Sequence, residues 1–260
     1  MSGIPLLAVG HGSRDPRSAT VIGELLAVVR MLRPDLDVRA AFLDLSVPRL
    51  ADVLGAIHAE GYHEVVVVPL LLGSAYHAKV DVPNAIAEAT APHLRVHLAD
   101  VLGPDPRLAS AALRRLRVAG ASPDDPNLGV VLAAAGSSHA PANDLVSAAA
   151  RRLGTGTTWA GVMPAFATTA SHPAAANHTV ATAISALRAA GARRIAVGSW
   201  FLAPGLLSDR VARQALAAAD GIASTVPLIA APLGADLDVA RLVLDRYAEA
   251  AAGGRVPRSA

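Results

Sequence analysis

Two histidines stand where apolar runs break off. Gly10-His11-Gly12-Ser13 follows the run from Ile4 to Val9, and Gly73-Ser74-Ala75-Tyr76-His77 follows the run from Val65 to Leu72. Such runs are too short for helices and read as buried parallel strands, each stopping at a glycine. In open α/β sheets ligands bind outside the carboxyl ends of the strands, so a histidine just past that end is a candidate for chemistry rather than packing. Two imidazoles carried by two strands of one sheet can converge on one ion. Neutral imidazole binds borderline divalent metals and exchanges protons near neutral pH. A site with only two or three protein ligands leaves coordination positions open, as reactive rather than structural metal sites do. Duller roles exist for both residues. His77 could cap a following helix, and His11 could be a turn residue in an anion-binding loop, although Gly-x-Gly without a third glycine is a weak nucleotide signal.

The elements that must position these histidines alternate along the chain. After the first strand, a helix is expected from about Arg17 to Leu32, with Val21, Leu25, Val28 and Val29 on one face and Pro34 as its stop. A strand around Val38 to Leu43 leads through Asp44-Leu45-Ser46-Val47-Pro48 into a helix that runs to Gly61. Beyond the Val65 to Leu72 strand, Asp81 and Pro83 mark a helix start, Leu94 to Leu98 reads as a fourth strand and Asp105 to Leu116 as a fourth helix. Right-handed crossovers turn four such β-α units into one parallel sheet.

Composition narrows the function classes. The 260 residues are 53% hydrophobic with a mean hydropathy of +0.41, but alanine supplies much of the excess. No stretch reaches the ~18 uninterrupted apolar residues of a membrane span. Met1-Ser2-Gly3-Ile4-Pro5 lacks a basic segment and passes straight into a strand, so a soluble, cytoplasmic protein without a secretory signal is expected. The absence of cysteine excludes disulfides and thiolate metal sites, leaving imidazole and carboxylate as ligands. The pI of about 9.5 accompanies a formal charge of only +2, which argues against a nucleic-acid groove. Lys79 is the sole lysine, and scattered arginines suit bidentate recognition of carboxylates better.

Ala119-Gly120-Ala121-Ser122-Pro123-Asp124-Asp125-Pro126-Asn127 is polar and rich in turn formers, hence a linker. A repeat follows it. Gly136-Ser137 matches Gly12-Ser13 at an offset of 124, as Ala165-Phe166 matches Ala41-Phe42; Gly191 then matches Gly61, and Leu202 matches Leu72, at an offset of 130. The reading is therefore α/β, with two similar domains, each a parallel β-sheet flanked by helices, facing one another across a central cleft. Their bounds are 1–118 and 128–252, with the linker at 119–127 and a tail at 253–260.

Gly-His-Gly-Ser-Arg after the first strand, Ala41-Phe42-Leu43-Asp44 after the second and Pro69-Leu70-Leu71-Leu72-Gly73-Ser74-Ala75-Tyr76-His77-Ala78-Lys79-Val80-Asp81-Val82-Pro83 after the third resemble the sirohydrochlorin chelatases of the CbiX and SirB type, the class II chelatases. The resemblance covers nearly the whole chain, because longer members of that family carry the same duplication. It implies insertion of a divalent metal, Fe2+ or Co2+, into a tetrapyrrole for siroheme or cobalamin synthesis. The metal is then the substrate, and no organic cofactor is expected. It also implies that His11, His77 and Asp44 hold the metal and are catalytic. The family often has glutamate at the acidic position, and aspartate is shorter by a methylene. Asp44 also has a structural reading, as the cap of the helix after Ser46.

The repeat alignment sets Leu207 on His77 and Ala135 on His11, so the second half reads as catalytically degenerate. Trp200, Phe201 and Leu206 are candidates for an apolar wall against the macrocycle, with core packing as the alternative. The substrate class carries eight carboxylate side chains, which makes Arg14 and Arg210, with Ser13 and Lys79, candidates for binding it. His58, His63, His93, His97, His172 and His178 read as packed or solvated imidazoles. His139, after Gly136-Ser137-Ser138, is displaced from the His11 position and its role stays open. The expected partner is the tetrapyrrole, with neither nucleic acid nor membrane, and with a monomer allowed. Two rivals remain: a non-enzymatic metal or tetrapyrrole carrier using the same histidines, and a phosphate-ligand enzyme using the Gly10-His11-Gly12 loop.

Overall fold

The computed structural model describes residues 3–73, 82–89, 94–168, 178–219 and 226–253. The first sheet contains β1 (Leu6–Gly10), β2 (Val38–Phe42), β3 (Glu64–Pro69) and β4 (Arg95–Leu98), in the order β2-β1-β3-β4. All neighbours are parallel, with Leu6 opposite Val38 on one side and Val66 on the other. Every residue of β1 is buried, as is all of β3 after Glu64. Helices cover both faces, so these strands are continuous apolar runs rather than alternating ones.

One face carries α2 (Leu50–Ala59) and α3 (Val82–Ala89), and Leu50, Val53, Leu54 and Ile57 pack there on Leu7, Val9, Val65 and Val67. The other face carries α1 (Pro16–Leu32) and α8 (Leu237–Gly253). Because α1 packs on a helix as well as on the sheet, its buried set is Ile22, Leu25, Leu26 and Val29, rotated from the stripe expected from periodicity and sharing only Leu25 and Val29 with it. Asp15 caps α1 by accepting from Arg17 N at 3.0 Å, and Pro16 occupies the first turn, where its missing N–H has no partner to lose.

The second sheet repeats the order as β6-β5-β7-β8. It comprises β5 (Leu128–Ala134), β6 (Gly161–Phe166), β7 (Arg194–Ser199) and β8 (Leu228–Ile229). Here α6 (Val180–Ala189) and α7 (Leu206–Ala219) lie on one face, and α4 (Pro106–Val118) and α5 (Ala140–Gly154) belong with the other.

The compact units do not follow the sequence repeat. One unit is Met1–Gly103 with Gly234–Ala260, and the other is Pro104–Leu233. The fourth helix of the first repeat, α4, packs on β7 and α5, and its Arg115 donates to Leu233 O at 2.7 Å. In return α8, from the second repeat, packs on β3 and α1, with Tyr247 donating to Ile4 O at 2.6 Å and Arg246 to Val101 O at 2.9 Å. Each repeat therefore gives its last helix to the other sheet. The linker is pinned to the second unit, where Trp159 Nε1 donates to Ser122 O at 2.7 Å and Arg194 pairs with Asp125.

Candidate metal centre

In the first unit the chain runs from β1 to β2 on one side and then returns to place β3 on the other. The carboxyl edge at β1 is thus where the strand order reverses, the place at which open α/β sheets form a ligand crevice. His11 emerges there.

Parallel pairing continues past the ends of β1 and β2. Leu43 N donates to Gly10 O and Asp44 N donates to His11 O, both at 3.0 Å. The imidazole-bearing and carboxylate-bearing residues are therefore backbone neighbours, both exposed at the edge of the sheet. The contact is possible only because residue 12 is glycine. Gly12 has φ +97, and a Cβ built there would lie 1.6 Å from Asp44 O.

Ser46 holds the two loops together. Its Oγ accepts from Ser13 N and donates to Ser13 O, both at 3.0 Å. Ser13 Oγ in turn accepts from Asp15 N at 3.1 Å. Arg17 hydrogen-bonds the Asp15 side chain and holds its carboxyl below the usual range, so the exit of the His11 loop into α1 stays capped by a charged oxygen.

Asp44 Oδ1 accepts from Leu45 N at 2.7 Å and from Arg49 Nη1 at 3.0 Å. These bonds use one carboxylate oxygen. The cap of α2 is Arg49, which makes no side-chain capping bond; Asp44 does not fill that role, and the helix-cap reading of it falls away. A carboxylate fixed at one oxygen beside an imidazole can orient a ligand set or carry a proton.

His77 and Lys79 lie outside the described residues. Among the described residues, no three histidine or carboxylate side chains gather closely enough to hold an ion. Arg14 is exposed beside Ser13, and Arg210 is exposed on α7. Trp200 is only 9% exposed, and the half-buried Phe201 packs against the apolar cluster of the second unit. Leu206 opens α7 and is 65% exposed. His139 is the N-cap residue of α5, without a side-chain capping bond.

The second unit rebuilds the same edge with different side chains. Gly136 has φ +85, and a Cβ there would come within 2.7 Å of Thr168 O. Thr168 N donates to Ala135 O at 3.0 Å, so Ala135 and Thr168 occupy the places of His11 and Asp44. Asn143 replaces Ser46 as the brace, accepting from Ser137 N at 2.9 Å and donating to Ser137 O at 2.8 Å. Leu207 packs on the apolar cluster of this unit. Sequence reasoning missed Ser46, Arg49 and Thr168. Ser46 acts on a residue 33 positions away, and no local pattern announces such a bond. Thr168 was reachable, because the same offset that sets Gly136 on Gly12 sets it on Asp44.

The profile of the CbiX family matches the chain twice, over residues 5–119 and 129–250. The sirohydrochlorin cobaltochelatase of Methanococcoides burtonii is 31% identical over 83 residues, covering 32% of this chain and 63% of that protein, so the chain spans just under two thirds of that relative. The sirohydrochlorin ferrochelatase of Bacillus subtilis is 31% identical over 138 residues, 51% of each chain. Among solved structures, SirB from Bacillus subtilis with Fe3+ aligns with a TM-score of 0.79 at 24% identity over 96% of both chains, a likeness of fold. With the two profile matches falling on either side of the linker and together taking in most of the sequence, the chain belongs to the CbiX family.

Proposed function

We propose that this protein is a sirohydrochlorin chelatase that inserts Fe2+ or Co2+ into the tetrapyrrole from the carboxyl edge of β1. The observation that carries the reading is the backbone pairing of His11 with Asp44 at the point where the strand order reverses. Relatives named for cobalt and for iron insertion support the reaction class. His77 is the second imidazole of the proposed set.

Insertion replaces two pyrrole protons by one divalent cation, so two protons must leave as the metal enters. His11 and His77 hold the ion weakly and leave positions open for the incoming pyrrole nitrogens. Asp44, tethered at Oδ1, offers its second oxygen to the metal or to a departing proton. The second unit takes no part in metal binding, because alanine and threonine stand where histidine and aspartate would. Imidazole and carboxylate accept either metal, so supply decides between siroheme and cobalamin synthesis. A cytoplasmic location follows from that role.

Turnover tests the proposal. With metal-free sirohydrochlorin and Co2+ in large excess over protein, absorbance should report many products per chain, and none above background for His11→Ala. Product capped at one per chain is the carrier result and overturns the enzyme reading.

A further inference from the structure

Among the described residues, Leu45 is the only non-glycine residue with a left-handed backbone, at φ 61. A leucine there sits in a region that residues other than glycine, asparagine and aspartate seldom adopt. Packing does not compensate it, since Leu45 is 44% exposed, and Val47 two residues on is 76% exposed. The segment is held firmly all the same. Leu45 N bonds Asp44 Oδ1 at 2.7 Å, Ser46 N bonds Asp44 O at 2.7 Å and Phe42 N bonds Pro48 O at 3.0 Å, while Ser46 is clamped to Ser13. Strain retained at an exposed apolar residue points to a contact made outside the chain.

We propose that Leu45 and Val47 form an apolar platform for one face of the macrocycle, placing its ring nitrogens over the His11–Asp44 edge. This rests on the chelatase reading above. Two features select a tetrapyrrole as the occupant. Leu45 follows Asp44 directly, so whatever covers it adjoins the metal. The platform also has cations beside it: Arg49 follows Pro48 and is exposed, and Arg14 is exposed next to the clamped Ser13. An apolar surface bordered by guanidinium groups matches a flat ring bordered by carboxylates.

The test uses the full-length protein with metal-free sirohydrochlorin, titrated without metal and then assayed with Co2+. Leu45→Asn keeps the backbone conformation with less strain, and Val47→Ser shortens the second apolar side chain. Each should weaken macrocycle binding roughly five- to tenfold, the scale of removing about half a leucine side chain from an apolar contact. The KM for Co2+ should stay unchanged, and the urea midpoint of Leu45→Asn should be equal to or above wild type. Met31→Gln, at an exposed residue on α1, should bind as wild type does. Wild-type turnover with unchanged macrocycle affinity in both variants overturns the platform and leaves the chelatase reading standing. Absence of macrocycle binding by the wild type overturns both.

Discussion

Replacing Gly12 by alanine should damage the site far more than the same change at Gly61, although both glycines have left-handed backbones, φ +97 and φ +90. At Gly61 a Cβ meets nothing within 4 Å, so the penalty is conformational, roughly 1–2 kcal/mol. At Gly12 the Cβ starts 1.6 Å from Asp44 O and must part from it to at least 3.0 Å. The Asp44 N to His11 O bond is already 3.0 Å long and does not survive that displacement. The two bonds between Ser13 and Ser46 cross the same gap. Three bonds at about 0.5–1.5 kcal/mol each, added to the backbone term of roughly 1–2 kcal/mol, give a loss of about 3–6 kcal/mol. Urea unfolding followed by far-UV circular dichroism measures it, with the Gly61→Ala variant as the matched control. A Gly12→Ala protein within about 0.5 kcal/mol of Gly61→Ala would refute the claim that the His11 and Asp44 loops are held in contact.

Ser199→Ala should stabilise the second unit by about 1 kcal/mol, because a buried hydroxyl without a partner carries a desolvation penalty; Ser199 is 8% exposed and its Oγ has no partner among the described residues. Both tryptophans, Trp159 and Trp200, lie in that unit, so their fluorescence reads the midpoint, and a lower midpoint would show that the hydroxyl is bonded. Asp44→Asn should slow metal insertion at least tenfold, by about 1.4 kcal/mol in barrier, while Asp44→Glu retains activity; equal rates for Asp44→Asn and wild type would reduce Asp44 to a partner of Arg49. Arg33 hydrogen-bonds Asp35 and lowers its carboxyl to about 2, below the unfolded value of about 3.9. The folded state binds that proton less readily than the unfolded one, so the pair's contribution is present above about pH 4 and is lost as pH falls to about 2; NMR titration of Asp35 should show that midpoint, and Arg33→Ala should return it to about 3.9.

Strands β1 and β3, and the point where β1 ends, were legible in the sequence because burial on both faces forces uninterrupted apolar runs, and Gly12 marks where the chain must turn tightly. The repeat was legible for the same reason, since Gly136 answers the same kind of steric demand, less severe, against Thr168. The exchange of last helices was not. Leu108, Ala112 and Leu116 declare that α4 buries a face, but an apolar stripe carries no address for the sheet it covers. Hydrogen bonds such as Arg115 to Leu233 O and Tyr247 to Ile4 O join residues more than a hundred positions apart, beyond any periodicity. Leu45 was unreadable for a different reason. A leucine in a left-handed turn contradicts local preference, and sequence reasoning follows local preference until coordinates overrule it.

Anomalous diffraction at the cobalt edge, on crystals of the protein soaked in Co2+, locates the metal relative to His11 and Asp44. If His11 and Asp44 form the metal edge, one strong peak per chain should lie within bonding distance of the His11 imidazole, and none beside Ala135 and Thr168. The peak should vanish in His11→Ala crystals of the same form. Cobalt bound beside Ala135, or retained at the first site without His11, would contradict that assignment.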